Sequence, residues 1–344
     1  MVMHFKTKYS ISSLFLLLAF FIPHFATAST QSTIGVFRED NLNYKIFDPS
    51  NGDEITSSTL ESKINSFKNN DFEIKDMLSN EGAEWVTDTD DGKLGIYNQS
   101  FDLIDQFNVF SNYSRPMAIA IGNVSTDYNG PEIIVCKSSS SVPRLKVFSY
   151  SSGGVEEKIL GFKPFGDGSA HDRGCLELGV GDFDGDGDNE IITFRGHEKG
   201  GDIQVKIFDN NADLESTFEI PESLYEWSLN ENTEHMMVAN INSTNKDEII
   251  FQGGTYMVYA YNSEGNQLYK FNSQKYNGKY IKKIDVSDID GDGVAEVVVQ
   301  QMGKKVPIVI LNKNGEVENS YNLYPNATSK AARFMFLGQF STGL

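Results

Sequence analysis

Along the chain the apolar positions fall into short β-branched runs. Ile191-Ile-Thr-Phe194, Val297-Val-Val-Gln300, Ile249-Ile-Phe251 and Ile133-Ile-Val135 each read as a buried strand. Each is followed by a second run and then by a hairpin. The pairs are Leu94–Asn98 with Leu103–Phe110, Leu145–Ser149 with Lys158–Phe162, Val205–Asp209 with Leu214–Ile220, Met257–Tyr261 with Gln267–Phe271, and Ile308–Asn312 with Val317–Leu323. Ser, Asn, Asp and Gly fill the turns between them, as hairpin bends require. Further strands precede the runs, at Leu176–Gly181 and Ile281–Ser287. The unit is therefore four strands, the size of a propeller blade.

The polar segments between first and second strands carry the chemistry. Asp182-Phe-Asp184-Gly-Asp186-Gly-Asp188-Asn-Glu190 and Asp288-Ile-Asp290-Gly-Asp292-Gly-Val294-Ala-Glu296 place acids at positions 1, 3, 5 and 9 and glycine at 6. Carboxylates so crowded repel one another unless solvent or a cation intervenes. Hard oxygen ligands at alternate positions around a tight bend suit Ca²⁺. An EF-hand is excluded, because position 12 is Thr193 in one loop and Val299 in the other, where that motif needs a bidentate acid. A solvated acidic turn is the alternative.

Weaker copies lie around these two. Asn240-Ile-Asn242 runs to Glu248, Asn123-Val-Ser125 passes Asp127 to Glu132 with one residue inserted, and Asp76-Met-Leu-Ser-Asn80 reaches Glu84. The closing acids Glu84, Glu132, Glu190, Glu248 and Glu296 are 48, 58, 58 and 48 residues apart, a period that means a propeller or an array. At the far end, Arg333–Gly343 reads as a first strand entering its loop. Near the start, Thr33–Phe37 and Tyr44–Phe47 read as second and third strands with no first. The expected fold is thus an all-β propeller of six four-stranded blades, with seven the alternative count, closed by terminal strands that share one blade. A fragment of a longer array is the competing architecture.

Composition adds the address. Lys6 and Lys8 precede an apolar stretch, Leu14–Ile22, and then Ala26-Thr27-Ala28, a signal-peptide pattern with cleavage after Ala28. Residues 29–344 then form a single propeller domain, secreted to an extracellular or periplasmic space, with no membrane insertion of the mature chain. An uncleaved anchor is the alternative, although nine apolar residues are short for a bilayer. The formal charge of −19 disfavours nucleic acid and anionic membranes as partners. Cys136 and Cys175 either pair, as export permits, or remain as two buried thiols.

The stretches Val180-Gly181-Asp182 through Ile192 and Val286-Ser287-Asp288 through Val298 resemble the FG-GAP/VCBS repeats, and through them the N-terminal propeller of integrin α subunits. The resemblance spans nearly the whole mature chain, strongly in two repeats and weakly in three. It implies two structural Ca²⁺ sites. Their ligands would be Asp182, Asp184, Asp186, Asp188 and Glu190 in one, and Asp288, Asp290, Asp292, Val294 (through its carbonyl) and Glu296 in the other. No Gly-Ala-Pro follows any Phe-Gly, so the namesake motif is missing. Lys246 stands at position 7 of the Asn240 loop, and the three weak loops read as metal-free turns held by Asn and Ser.

The function expected from this is a calcium-binding adhesion module for an extracellular protein or glycan. A lectin and a polysaccharide-acting, lyase-like enzyme are the alternatives. The mature chain's histidines, His171, His197 and His235, are scattered, and neither Gly-x-Ser-x-Gly nor His-Glu-x-x-His occurs. Ligand contacts are expected in the connections opposite the acid loops, at Pro164–Arg173, Phe194–Gly201, Pro221–Trp227 and Gln274–Tyr280. His171, Arg173, Arg195, His197, Lys199 and Trp227 are the candidate residues.

Overall fold

A computed structural model of the chain describes residues 33–37, 43–48, 52–59, 72–78, 82–89, 92–97, 103–115, 117–128, 130–138, 142–151, 153–167, 172–197, 201–221, 236–326 and 334–338. The segment 1–28, read above as a signal peptide, lies outside them.

Five antiparallel sheets are each built from four consecutive strands. The first holds β4 (Phe72–Leu78), β5 (Gly82–Asp88), β6 (Leu94–Tyr97) and β7 (Leu103–Phe107). The second holds β8 (Met117–Gly122), β9 (Glu132–Lys137), β10 (Leu145–Ser151) and β11 (Gly154–Phe162). Then come β12 (Asp172–Gly181), β13 (Glu190–His197), β14 (Ile203–Phe208) and β15 (Leu214–Ile220). The fourth sheet is β16 (Met236–Ala239), β17 (Glu248–Gly253), β18 (Met257–Tyr261) and β19 (Gln267–Asn272), and the fifth is β20 (Ile281–Ser287), β21 (Glu296–Gln301), β22 (Pro307–Leu311) and β23 (Val317–Asn322). A further sheet has the order β24-β1-β2-β3, in which β24 (Phe334–Gly338) pairs with β1 (Thr33–Phe37), followed by β2 (Asn43–Phe47) and β3 (Glu54–Thr59).

Successive sheets stack face to face, and this explains the unbroken apolar runs. β9, β17 and β21 are buried along both faces, because each face meets a neighbouring sheet. The outer strands alternate instead, as β23 does with every second residue exposed. Five apolar clusters among the described residues each fill the space between two successive sheets. Phe194, Val205 and Ile207 thus meet Ile249 and Phe251, while Phe47 meets Val298 and Ile308. Neighbouring first strands also touch, in the series β4, β8, β12, β16, β20 and β24. The result is an all-β, propeller-like arrangement.

The bend between third and fourth strands repeats one packing rule. Gly265 has φ +80°, and a Cβ there would lie 2.6 Å from Phe218 on the fourth strand of the preceding sheet. Gly315 stands in the same relation to Tyr269, at 2.2 Å. Only glycine admits both the left-handed backbone and that approach.

Two expectations are corrected and a third gains detail. Asp76–Glu84 is not an acid loop: β4 continues to Leu78 and β5 starts at Gly82, which leaves no room for a nine-residue turn. Phe194–His197 is not a connection but the end of β13, paired with β12 and β14. The Gln274–Tyr280 connection opens with a short helix, α1 (Ser273–Tyr276), whose first turn is capped by Asn272. The cysteine alternatives resolve as a disulfide: Cys136 on β9 is bonded to Cys175 on β12, with Cα atoms 5.8 Å apart, and so ties two sheets together.

Candidate metal centre

Each acid loop leaves a first strand and re-enters the sheet at a second. The closing glutamate makes that re-entry. Its Oε2 accepts the N–H of the residue at loop position 2: Phe183 to Glu190 at 2.8 Å and Ile289 to Glu296 at 2.9 Å. The Asn240 and Asn123 loops do the same, with Ile241 to Glu248 and Val124 to Glu132, both at 2.9 Å. The position-2 side chain is apolar and buried in all four loops. Position 9 is therefore first a hairpin clasp, which accounts for an acid there in loops whose positions 1 and 3 are Asn or Ser. The sequence signal for the clasp was the apolar residue at position 2, which spacing of acids alone does not reveal.

Inside the loop, successive carboxylates collect backbone N–H groups. Asp182 accepts from Gly185 at 2.6 Å and Gly187 at 3.0 Å, Asp184 from Asp186 at 3.0 Å, and Asp186 from Asp188 at 2.9 Å. In the second loop Asp288 accepts from Gly291 at 2.8 Å and Gly293 at 3.0 Å, and Asp292 from Val294 at 2.8 Å. Gly187 and Gly293, with φ +94° and +88°, turn the chain so that these oxygens face inward.

Asp182, Asp184 and Glu190 then present one carboxylate oxygen each, all within 4.8 Å of one another, and Asp288, Asp290 and Glu296 do likewise. Asp186, Asp188 and Asp292 stand on the exposed rim outside these triads, and Val294 is buried. Burial lifts the Glu190 carboxyl to about 7, with Glu215, Asp184 and Asp182 adding repulsion. Burial, followed by Asp290, Glu318 and Asp292, lifts Glu296 equally to about 7. Each triad thus gathers carboxylates around a buried acid, and Lys246 of the next sheet's loop runs 3.2 Å from where a Gly185 Cβ would stand. An all-oxygen donor set of this kind fits a hard divalent cation.

The Asn240 loop fills the same space with hydrogen bonds. Asn242 Nδ2 donates to Glu248 Oε1 at 2.6 Å and the Thr244 hydroxyl does so at 3.5 Å, where the acid loops leave the oxygen facing other carboxylates. Between the Asn123 and Asp182 loops lies a polar cleft of about 310 Å³, lined among others by Ser125, Thr126, Tyr128, Asp188 and Asn189. Sequence reasoning had looked for ligands only on the opposite side.

The residues expected there are placed as follows. Arg195 belongs to β13 and is buried: its guanidinium lies 5.3 Å from the Phe165 ring centre and donates to the Phe165 carbonyl at 3.3 Å. That corrects its assignment to a solvent-facing loop. Arg173 and His197 lie at the end of the β12–β13 pair remote from the acid loop, where Asp172 registers with His197. His171, Lys199 and Trp227 are outside the described residues.

No protein-family model and no curated protein matches the sequence. Among solved structures, apo AztD from Citrobacter koseri is similar with a TM-score of 0.52 and 10% identity, over 90% of this chain and 98% of that one. BBS1N in complex with ARL6DN gives 0.46 and 9% identity over 91% and 89% of the two chains. The exotype rhamnogalacturonan lyase YesX gives 0.42 and 13% over 85% and 57%. At such identities the likeness to AztD is one of fold alone.

Proposed function

We propose that this chain is a secreted, calcium-stabilised six-bladed propeller of the FG-GAP/VCBS kind that binds an extracellular protein or glycan. The observation that carries the calcium assignment is the pair of triads, each with three carboxylate oxygens inside 4.8 Å on a buried hairpin clasp. Bound Ca²⁺ would be held by Asp182, Asp184 and Glu190, and by Asp288, Asp290 and Glu296, with the rim acids and the position-7 carbonyls as further oxygen donors. It would supply positive charge at the centre of each triad. Extracellular modules of this type bind at roughly 10⁻⁴–10⁻³ M, so an exported location suits the affinity.

The six-blade ring is supported by five four-strand sheets and by the β24–β1 pairing that completes one more. Its closing joint would be between β24 and β4. A calcium-dependent glycan would find hydroxyl, amide and phenol groups in the cleft beside the Asp182 loop, while a protein ligand would meet the opposite strand ends. Among the described residues no helix is long and apolar enough to cross a membrane.

The experiment is equilibrium dialysis of exported protein against calcium, followed by arrayed glycans and cell-surface binding with and without chelator. Two ions per chain, a mature terminus at Ser29 and chelator-sensitive ligand binding are expected. A chain that retains no calcium at millimolar concentration would contradict the assignment.

A further inference from the structure

The acid loops are not isolated from one another. At each joint between described loops, position 8 of one loop donates to the position-1 carbonyl of the loop before it. Asn189 Nδ2 reaches Asn123 O at 2.7 Å, Asp247 N reaches Asp182 O at 2.6 Å, and Ala295 N reaches Asn240 O at 2.7 Å. The middle joint has a second bond in the opposite direction: the Asp182 N–H donates to Asp247 Oδ2 at 3.0 Å. Both backbone groups of Asp182 are therefore gripped by one residue of the next sheet. Asp182 is also the residue whose two carboxylate oxygens gather the loop around Gly185 and Gly187.

The close approach is built in. A Cβ on Gly181 would lie 2.5 Å from Asp247 Oδ2 and 2.5 Å from Val238 Cγ1, so any larger residue would push the two loops apart. Asp247 does not belong to either carboxylate triad, and it sits in a loop whose own centre is filled by Asn242 and Thr244. Its carboxylate accepts from the Asp182 N–H of the neighbouring loop as well as from the Asn240 backbone of its own, and so bridges the two.

We infer that Asp247 is a positioning residue for the cation site of the adjacent sheet, which makes the Asp182 site a two-sheet site, a role that depends on calcium occupying that loop as proposed above. The clamp fixes the Asp182 backbone, and hence the angle at which its carboxylate meets the ion. Groups that orient a metal ligand from outside typically change affinity by about 10–100-fold when removed.

The test is calorimetric Ca²⁺ titration of the full exported chain in an Asp290→Asn background, which disables the second loop and leaves one site to read. Asp247→Ala is expected to weaken calcium at the remaining site by about tenfold or more. Asp247→Asn keeps an acceptor for the Asp182 N–H and should restore most of the affinity. Hydrogen exchange on metal-free protein supplies the second readout: Asp247→Ala should speed exchange at the Asp182 amide, and Asp247→Asn should not. Equal calcium affinity in the parent and Asp247→Ala, with the Asp182 amide equally protected, overturns the clamp alone. Absence of any calcium heat in the unmutated chain overturns the calcium assignment and the clamp with it.

Discussion

At the residue scale, the closing glutamates carry two duties that pull in opposite directions. As clasps they must be buried, and burial raises Glu190, Glu248 and Glu296 from 4.5 to about 7. A carboxyl whose folded pKa exceeds its unfolded value favours the fold when protonated. The chelated protein should therefore gain stability as pH falls from about 7 towards 4.5, and lose it as pH rises through 7. With calcium bound, Glu190 and Glu296 are held as carboxylates and the trend should flatten or reverse. Thermal melts from pH 5 to 8, with and without chelator, read the difference. A clasp can also be broken by itself. Glu248→Leu leaves the buried Ile241 N–H without its acceptor, which should lower unfolding free energy by about 1–3 kcal/mol in urea titrations. Glu248→Gln, which keeps an acceptor oxygen, should lose less. The acids of the two triads were legible in the sequence because alternating carboxylates around a glycine bend draw the eye. The clasp was not, since a position-9 acid looks like a ligand whether or not its partner is a metal.

At the scale of elements, strands were readable wherever burial is two-sided. Ile249–Phe251 and Val297–Val299 are apolar because a sheet lies against each face, and they fall inside β17 and β21. Leu214–Ile220 and Met257–Tyr261 were placed to the residue. The misses have a common cause. Arg195 looked like a loop residue because a cation normally ends a strand, but here it is buried over an aromatic ring and accepted by a carbonyl. Asp76 looked like a loop start because acids mark turns, but its sheet closes a tighter hairpin. Neither compensating contact is visible without the neighbouring element. The disulfide was likewise an open choice until β9 and β12 came side by side. It closes a loop of sequence separation 39, so Cys136→Ala with Cys175→Ala should cost roughly 2–4 kcal/mol of stability. Denaturant titration of the oxidised wild type against the double variant measures that loss, and coincident curves would show that the bridge restrains nothing.

At the scale of the molecule, the sheets stack in sequence order and the β24–β1 pairing joins strands from opposite ends of the chain. The period of the loops closed by Glu132, Glu190, Glu248 and Glu296 made that stack legible, because each of these four sheets carries one strand–loop–strand signal at the same place. The joints between sheets were not legible: they rest on hydrogen bonds to the position-1 carbonyl of the preceding loop and on aromatic rings seated over turn glycines, which leave no spacing in the sequence. In a chain of charge −19, two loops hold nine of the 48 acids and concentrate repulsion there, which cations bound as proposed would relieve.

Scanning calorimetry of the chain, in millimolar calcium and again in chelator, tests this most directly. At free calcium about tenfold above Kd, each site adds roughly 1.4 kcal/mol, so two sites should raise Tm by about 4 °C. The Asp184→Ala, Asp290→Ala variant should melt at one temperature in both buffers. Superimposable wild-type curves with and without calcium would contradict the account.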